Sequence, residues 1–158
     1  MEMQEIYSIE NNVLVGMKQP IISCYDDYLK HDYLIPEEVT AIGSYAFFVC
    51  KSLTSVVFSA NIQSIASYAF YECDNLARVT IGSGVTSIGE YVFQNCSKLT
   101  SVEIPDSVTS IGNSAFGGCS SLKSVTIPDS VKEIGNRAFD GCGSLASVTI
   151  PDSVTSIG

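Results

Sequence analysis

The sequence predicts an elongated α/β repeat fold, in which equal coils of chain, each a short strand and a helical turn, stack along one axis. Three observations predict it. Residues 104–126, IPDSVTSIGNSAFGGCSSLKSVT, recur as residues 127–149 with 17 positions identical and six changed. Phenylalanine returns at Phe47, Phe70, Phe93, Phe116 and Phe139, and cysteine at Cys50, Cys73, Cys96, Cys119 and Cys142, every step being 23 residues. A unit this short cannot enclose its own apolar residues, so each must bury them against its neighbours.

The elements follow in chain order. Residues 1–34 lie outside the period and are expected to cap the first coil. Asn11-Asn12 joins two short apolar runs and suits a two-residue hairpin turn, with Ile6, Ile9, Val13 and Val15 facing the first coil. A further strand is expected at Ile21–Ser23, then a short helix or loop from Tyr25 to Tyr33. Residues 35–158 hold five full repeats and part of a sixth. Within each, Val102 and Ile104 alternate with Ser101 and Glu103, the two-residue period of a strand with one buried face. Stacked strands would form a parallel sheet with roughly 4.8 Å between neighbours. Ala115, Phe116 and Cys119, at i, i+1 and i+4, suit one helical turn with its apolar side inward. Pro105 ends the strand, and Gly112 or Gly118 permits the bends.

At this point the pattern L-x-x-V-x-I-P-x-x-V-x-x-I-G-x-x-A-F-x-x-C, read from Leu99 to Cys119, resembles the BspA-like leucine-rich repeat of surface proteins. The resemblance covers about residues 34–158. It implies a right-handed leucine-rich-repeat solenoid with a parallel concave β-sheet, a binding function without catalysis, and a cell-surface or secreted location. Proline follows the strand here, and the later asparagine or cysteine of commoner leucine-rich repeats is missing. Ligand rules of those other families therefore do not carry over.

Composition narrows the function. A net charge of −9, with eight Lys and Arg scattered along 158 residues, disfavours nucleic acid and anionic membrane surfaces as partners. No run of 18 apolar residues exists to span a bilayer. The start, MEMQEIYSIENN, has neither the basic residues nor the apolar run of a signal peptide. A cytoplasmic location therefore stays open beside removal of a leader. The chain stops at Gly158, nine residues into a repeat, where a solenoid normally carries a polar cap. Truncation, or a partner or second copy on that open end, is the expectation.

The five cysteines of the column read as reduced, buried, structural thiols. Their side chains point alike rather than at each other, and a straight column does not converge on a metal. Cys24 stands outside it. No cofactor is expected. His31, the one histidine, sits near Asp27 and Asp32 without a fixed serine partner, so neither a catalytic nor a metal role is assigned. Asn95-Cys96-Ser97 fits a glycosylation acceptor, but Cys96 belongs to the buried column.

Function must then lie on exposed columns. On the strand, Arg78, Thr80, Ser101, Glu103 and Thr126, with Lys123 beside them, should face outward from the concave sheet and are the candidate ligand-binding residues for a protein or glycan. On the turn, Tyr45, Phe48, Tyr68, Tyr71 and Tyr91 form an aromatic patch, which Tyr25, Tyr28 and Tyr33 of the cap are placed to cover. A spacer with no ligand is the rival reading, since rungs four and five are nearly identical. Ice or mineral binding by the rows Ser124/Thr126 and Ser147/Thr149 is a third.

Overall fold

The structure is a computed structural model and describes residues 7–16 and 32–158. Its strands, in chain order, are β1 (Tyr7–Glu10), β2 (Val13–Gly16), β3 (Asp32–Leu34), β4 (Ala41–Ile42), β5 (Ser55–Val57), β6 (Ser64–Ile65) and β7 (Arg78–Thr80). They continue as β8 (Ser87–Ile88), β9 (Ser101–Glu103), β10 (Ser110–Ile111), β11 (Ser124–Thr126), β12 (Glu133–Ile134) and β13 (Ser156–Ile157). The chain coils, and each of the first four rungs contributes one strand to each of two sheets. One sheet runs β3-β5-β7-β9-β11, and the other runs β1-β2-β4-β6-β8-β10-β12-β13. Pairing between rungs is parallel and in register at a 23-residue offset, as in Val79↔Val102 and Ile88↔Ile111.

The core lies between the sheets and is made of the predicted columns. Phe47, Phe70, Phe93 and Phe116 are all but fully buried, and the stack continues to Phe139. Successive rings lie 4.7 to 5.4 Å apart and within 17° of parallel. Leu53, Leu76, Leu99 and Leu122 are wholly buried, as are Val85, Val108 and Val131.

The hairpin forms where Asn11-Asn12 predicted it. Both asparagines take left-handed backbone, φ 51° and 63°, as a type I′ turn requires, and β1 pairs antiparallel with β2. β2 then pairs parallel with β4, so the hairpin extends the second sheet at its first-rung edge. Ile9 does not turn inward as expected: on the outermost strand it is 39% exposed. Ile6, the side chain of Val15, and residues 21–31 fall outside the described residues. Tyr33 belongs to β3 rather than to a helix or loop, and its ring packs edge-on against Phe47, 5.4 Å away.

The helical turn is the main correction. Ala115, Phe116 and Cys119 are buried as expected, yet no helix forms among the described residues. The backbone takes left-handed φ once every four residues, at Ser114 (48°) and Gly118 (72°) and at their equivalents in the other rungs. These reversals aim alternate amides at the next rung. Ser114, Phe116 and Gly118 donate to the carbonyls of Asn136, Ala138 and Asp140 at 2.7–2.9 Å. The amides between them close tight turns within the rung, as Gly117 does on Ser114 and Cys119 on Phe116. From Ser114 to Cys119 every amide finds an acceptor, half of them in the next coil, where a helix would have used only its own carbonyls.

The cysteine column is also corrected at one end. Cys73, Cys96, Cys119 and Cys142 are free buried thiols, but Cys50 is disulfide-bonded.

Candidate interaction surface

Ridge geometry on the β3–β11 sheet follows from the alternation in each strand. Val79 and Val102 point into the core, so Arg78, Thr80, Ser101 and Glu103 point out, and all four are exposed. The register sets Arg78 opposite Ser101 and Thr80 opposite Glu103. Arg78 and Glu103 are therefore diagonal neighbours, and they form no ion pair. Lys51–Asp74, at 2.5 Å on the turn side, is the ion pair found among the described residues.

A groove of about 580 Å³ runs across β7 and β9, bordered by Arg78, Thr80, Ser101, Glu103, Pro105 and Asp106. One wall has a local cause. The third rung carries Gly82-Ser83-Gly84 where the later rungs carry Pro-Asp-Ser. A Cβ on Gly82 would lie 2.3 Å from the Ser59 carbonyl oxygen, so glycine lets this loop settle against the rung before it. Pro105 and Asp106 have no such freedom and border the groove. The structure thus gathers four of the six predicted strand-face residues. Lys123 and Thr126 are exposed one rung further on and do not border it. Asp106, which the column argument passed over, joins it from the following turn. At the other end of the sheet Ser55 is only 8% exposed, and its hydroxyl donates to the Asp32 carboxylate.

The aromatic patch forms as one lattice of five rings. Tyr45, Tyr68 and Tyr91 stack at 5.1 and 4.7 Å, and Phe48 stacks on Tyr71 at 5.3 Å. Tyr45–Phe48 and Tyr68–Tyr71 contacts join the two rows. Tyr45 is 53% and Phe48 40% exposed, and Tyr33, one of the three tyrosines expected to cover them, is engaged with Phe47 instead. Tyr25 and Tyr28 are not among the described residues. All three tyrosines of the ladder have left-handed backbone, φ 58° to 62°. That costs about 1–2 kcal/mol per residue, partly offset by stacking worth about 0.5–1.5 kcal/mol per pair. Partial burial pushes the Tyr68 hydroxyl above its ordinary pKa, with Tyr91, Tyr45 and Glu90 adding to it. Burial and then Glu72 do the same at Tyr71.

A second groove, about 660 Å³, opens beside the other sheet between Asn12, Glu37, Glu38, Thr40, Asn61 and Gln63. Thr40 and Thr86 line it, and their hydroxyls donate to the carbonyls of Asn12 and Gln63. The Ser-x-Thr rows stop short: Ser124 and Thr126 lie in β11, but residues 147–149 form no strand. Among the described residues no three His, Cys, Asp or Glu side chains converge on a metal position, and no helix is long and apolar enough to cross a membrane. His31 and Asp27 lie outside the described residues. Asn95 of the glycosylation triplet sits at a turn with φ 61°.

The sequence matches the BspA type leucine-rich repeat region in six copies, over residues 23–112 and 86–158. Among solved structures it is similar to a leucine-rich repeat protein of T. pallidum, at 27% identity and TM-score 0.79, over 96% of this chain and 78% of that one. It is also similar to a leucine-rich cell surface protein of Faecalibacterium prausnitzii, at 32% identity and TM-score 0.77, over 94% of this chain and 41% of that one. A leucine-rich repeat protein of Eubacterium ventriosum gives 27% identity and TM-score 0.63, over 96% of this chain and 48% of that one. The chain thus spans less than half the length of the last two. The sequence has no significant match among curated proteins.

Proposed function

Because the chain belongs to the BspA-type leucine-rich repeat family, we propose that it is a non-enzymatic binding module at the cell surface, reading a protein or glycan with its β3–β11 sheet. The groove over β7 and β9 is the observation that carries this reading. It sets a guanidinium, two carboxylates and two hydroxyls around one recess, and those groups hydrogen-bond to amides, carboxylates or sugar hydroxyls alike. Arg78 and Glu103 stay apart from each other and so are available to a ligand.

Two facts support the location. The F. prausnitzii relative is a cell surface protein by name. The Cys50 disulfide suits an oxidising compartment, where such bonds persist. We take residues 1–34 as the cap of the repeat domain at 35–158. The pairing of β2 with β4 and the packing of Tyr33 on Phe47 support that division.

The test is joint replacement of Arg78, Glu103 and Lys123 by alanine. Adhesion of the purified chain to cells or matrix should be abolished. Unchanged adhesion would transfer the assignment to the spacer reading. That reading has its own support: at the outward positions rungs four and five carry only Ser124, Thr126, Ser147 and Thr149, with Lys123 as the one flanking charge.

A further inference from the structure

The five-ring lattice on the turn face is not required by the fold. The next two rungs put Ser114 and Gly117, then Arg137 and Asp140, at the same positions without breaking the coil. The tyrosines also hold a left-handed backbone conformation that bulky residues avoid, one that Ser114 and Arg137 share at the same positions. We propose that Tyr45, Phe48, Tyr68, Tyr71 and Tyr91, with Glu72 and Glu90, form a second docking face, separate from the β3–β11 sheet, for an extended basic segment of another protein.

The geometry and the charge select that occupant. Rings stacked within 14° of parallel spend their faces on one another, so solvent meets mainly their edges and hydroxyls. A sugar, which packs its C–H face onto an open ring face, finds little of one here. The carboxylates are placed for cations. Both carboxylates lie beside the rings, Glu90 helping to raise the pKa of Tyr68 and Glu72 that of Tyr71. Asn113 holds one Glu90 oxygen at 2.7 Å, which fixes the side chain and leaves the second oxygen for a partner. The cation at the rim, Lys51, is occupied by Asp74 and by the Glu72 carbonyl. Lysine or arginine side chains could lay their aliphatic stems along the ring edges and their charged heads on these carboxylates. The surface is rigid because its backbone is bonded rung to rung, as from Tyr68 to Glu90 and from Tyr91 to Asn113, so little ordering is left for binding. The net charge of −9 adds long-range attraction.

The chain has no tryptophan, and four of its eight tyrosines lie on this face, so tyrosine emission carries a large contribution from it. Titration with an arginine- and lysine-rich dodecapeptide should change that emission saturably, and less so as salt is raised. A glutamate-rich dodecapeptide should leave it unchanged. Tyr68→Ser with Tyr91→Ser, the residue that position 114 already carries, should weaken binding by calorimetry at least about tenfold. Glu72→Gln with Glu90→Gln should do the same, and carries the test alone if the tyrosine variant does not melt as a folded protein. The triple alanine variant of Arg78, Glu103 and Lys123 should keep its peptide affinity within about twofold, which separates this face from the sheet. The proposal is overturned if the basic peptide does not bind, if the acidic one binds equally, if the ring and carboxylate variants bind like the parent, or if only the sheet variant loses binding.

Discussion

Within the core, one hydrogen bond accounts for the cysteine column. The thiols of Cys73, Cys96, Cys119 and Cys142 each donate to the carbonyl of the phenylalanine 26 residues earlier, at 3.0–3.2 Å. Those carbonyls point into a space too apolar for water, and a small residue with a weak donor fills it. Cys119→Ala should cost about 0.5–1.5 kcal/mol in urea unfolding, since it removes one of the two hydrogen bonds the Phe93 carbonyl accepts, the other coming from the Cys96 amide. Cys119→Val, which restores bulk without a donor, should recover little of that. Val49 presents the opposite case. It is β-branched and sits at φ 57°, where the fourth and fifth rungs have Gly118 and Gly141 at 72°. Val49→Gly should raise stability by about 0.5–1 kcal/mol in the same assay, the relief of strain exceeding the added chain entropy. Neither feature could be read from residue type alone, because tyrosine, valine, glutamate and asparagine all occupy left-handed positions that only glycine advertises.

Each rung is three short edges joined by turns, and only one edge is a conventional strand of three residues. Its burial alternates in the sequence, as Ser101-Val102-Glu103 does, and it was legible for that reason. β10 is two residues long, Ser110–Ile111, too short to show a period, so the second sheet appeared only as a column of isoleucines. The third edge shows the apolar spacing of a helical turn because Ala115, Phe116 and Cys119 do face one way. That spacing reports which side chains are buried, and here the amides go elsewhere. The columns themselves set the energetics. Phe116 is fully buried between Phe93 and Phe139 at 5.4 Å on each side, so Phe116→Ala should cost about 3–5 kcal/mol on chemical unfolding. A loss under about 1 kcal/mol would mean that the ring stack does not hold adjacent rungs together.

Across the whole molecule the rungs share one continuous core, so buried groups act on global stability. Burial pushes the thiols of Cys96, Cys119 and Cys142 above their ordinary pKa. With the folded pKa raised, the unfolded chain loses thiol protons first, and stability falls as pH climbs past the ordinary thiol value of about 9. Below that value the contribution is fully present. Melting temperatures from pH 7 to 11 should decline above about pH 9, and the decline should be shallower in Cys119→Ala. At this scale too the two ends differ. The N-terminal edge carries the β1–β2 hairpin, while at the last rung Ile150 is 41% and Ile157 60% exposed.

The 23-residue spacing by itself determined the stacked coil, the parallel in-register pairing and the buried columns, because a rung this small has nowhere to put its apolar side chains except against its copies. Tertiary structure alone decided the second sheet, the replacement of the helical turn by inter-rung hydrogen bonds, and the groove across β7 and β9. Each of these depends on contacts between residues in different coils. A periodic sequence states that such neighbours exist without stating which backbone atoms face each other.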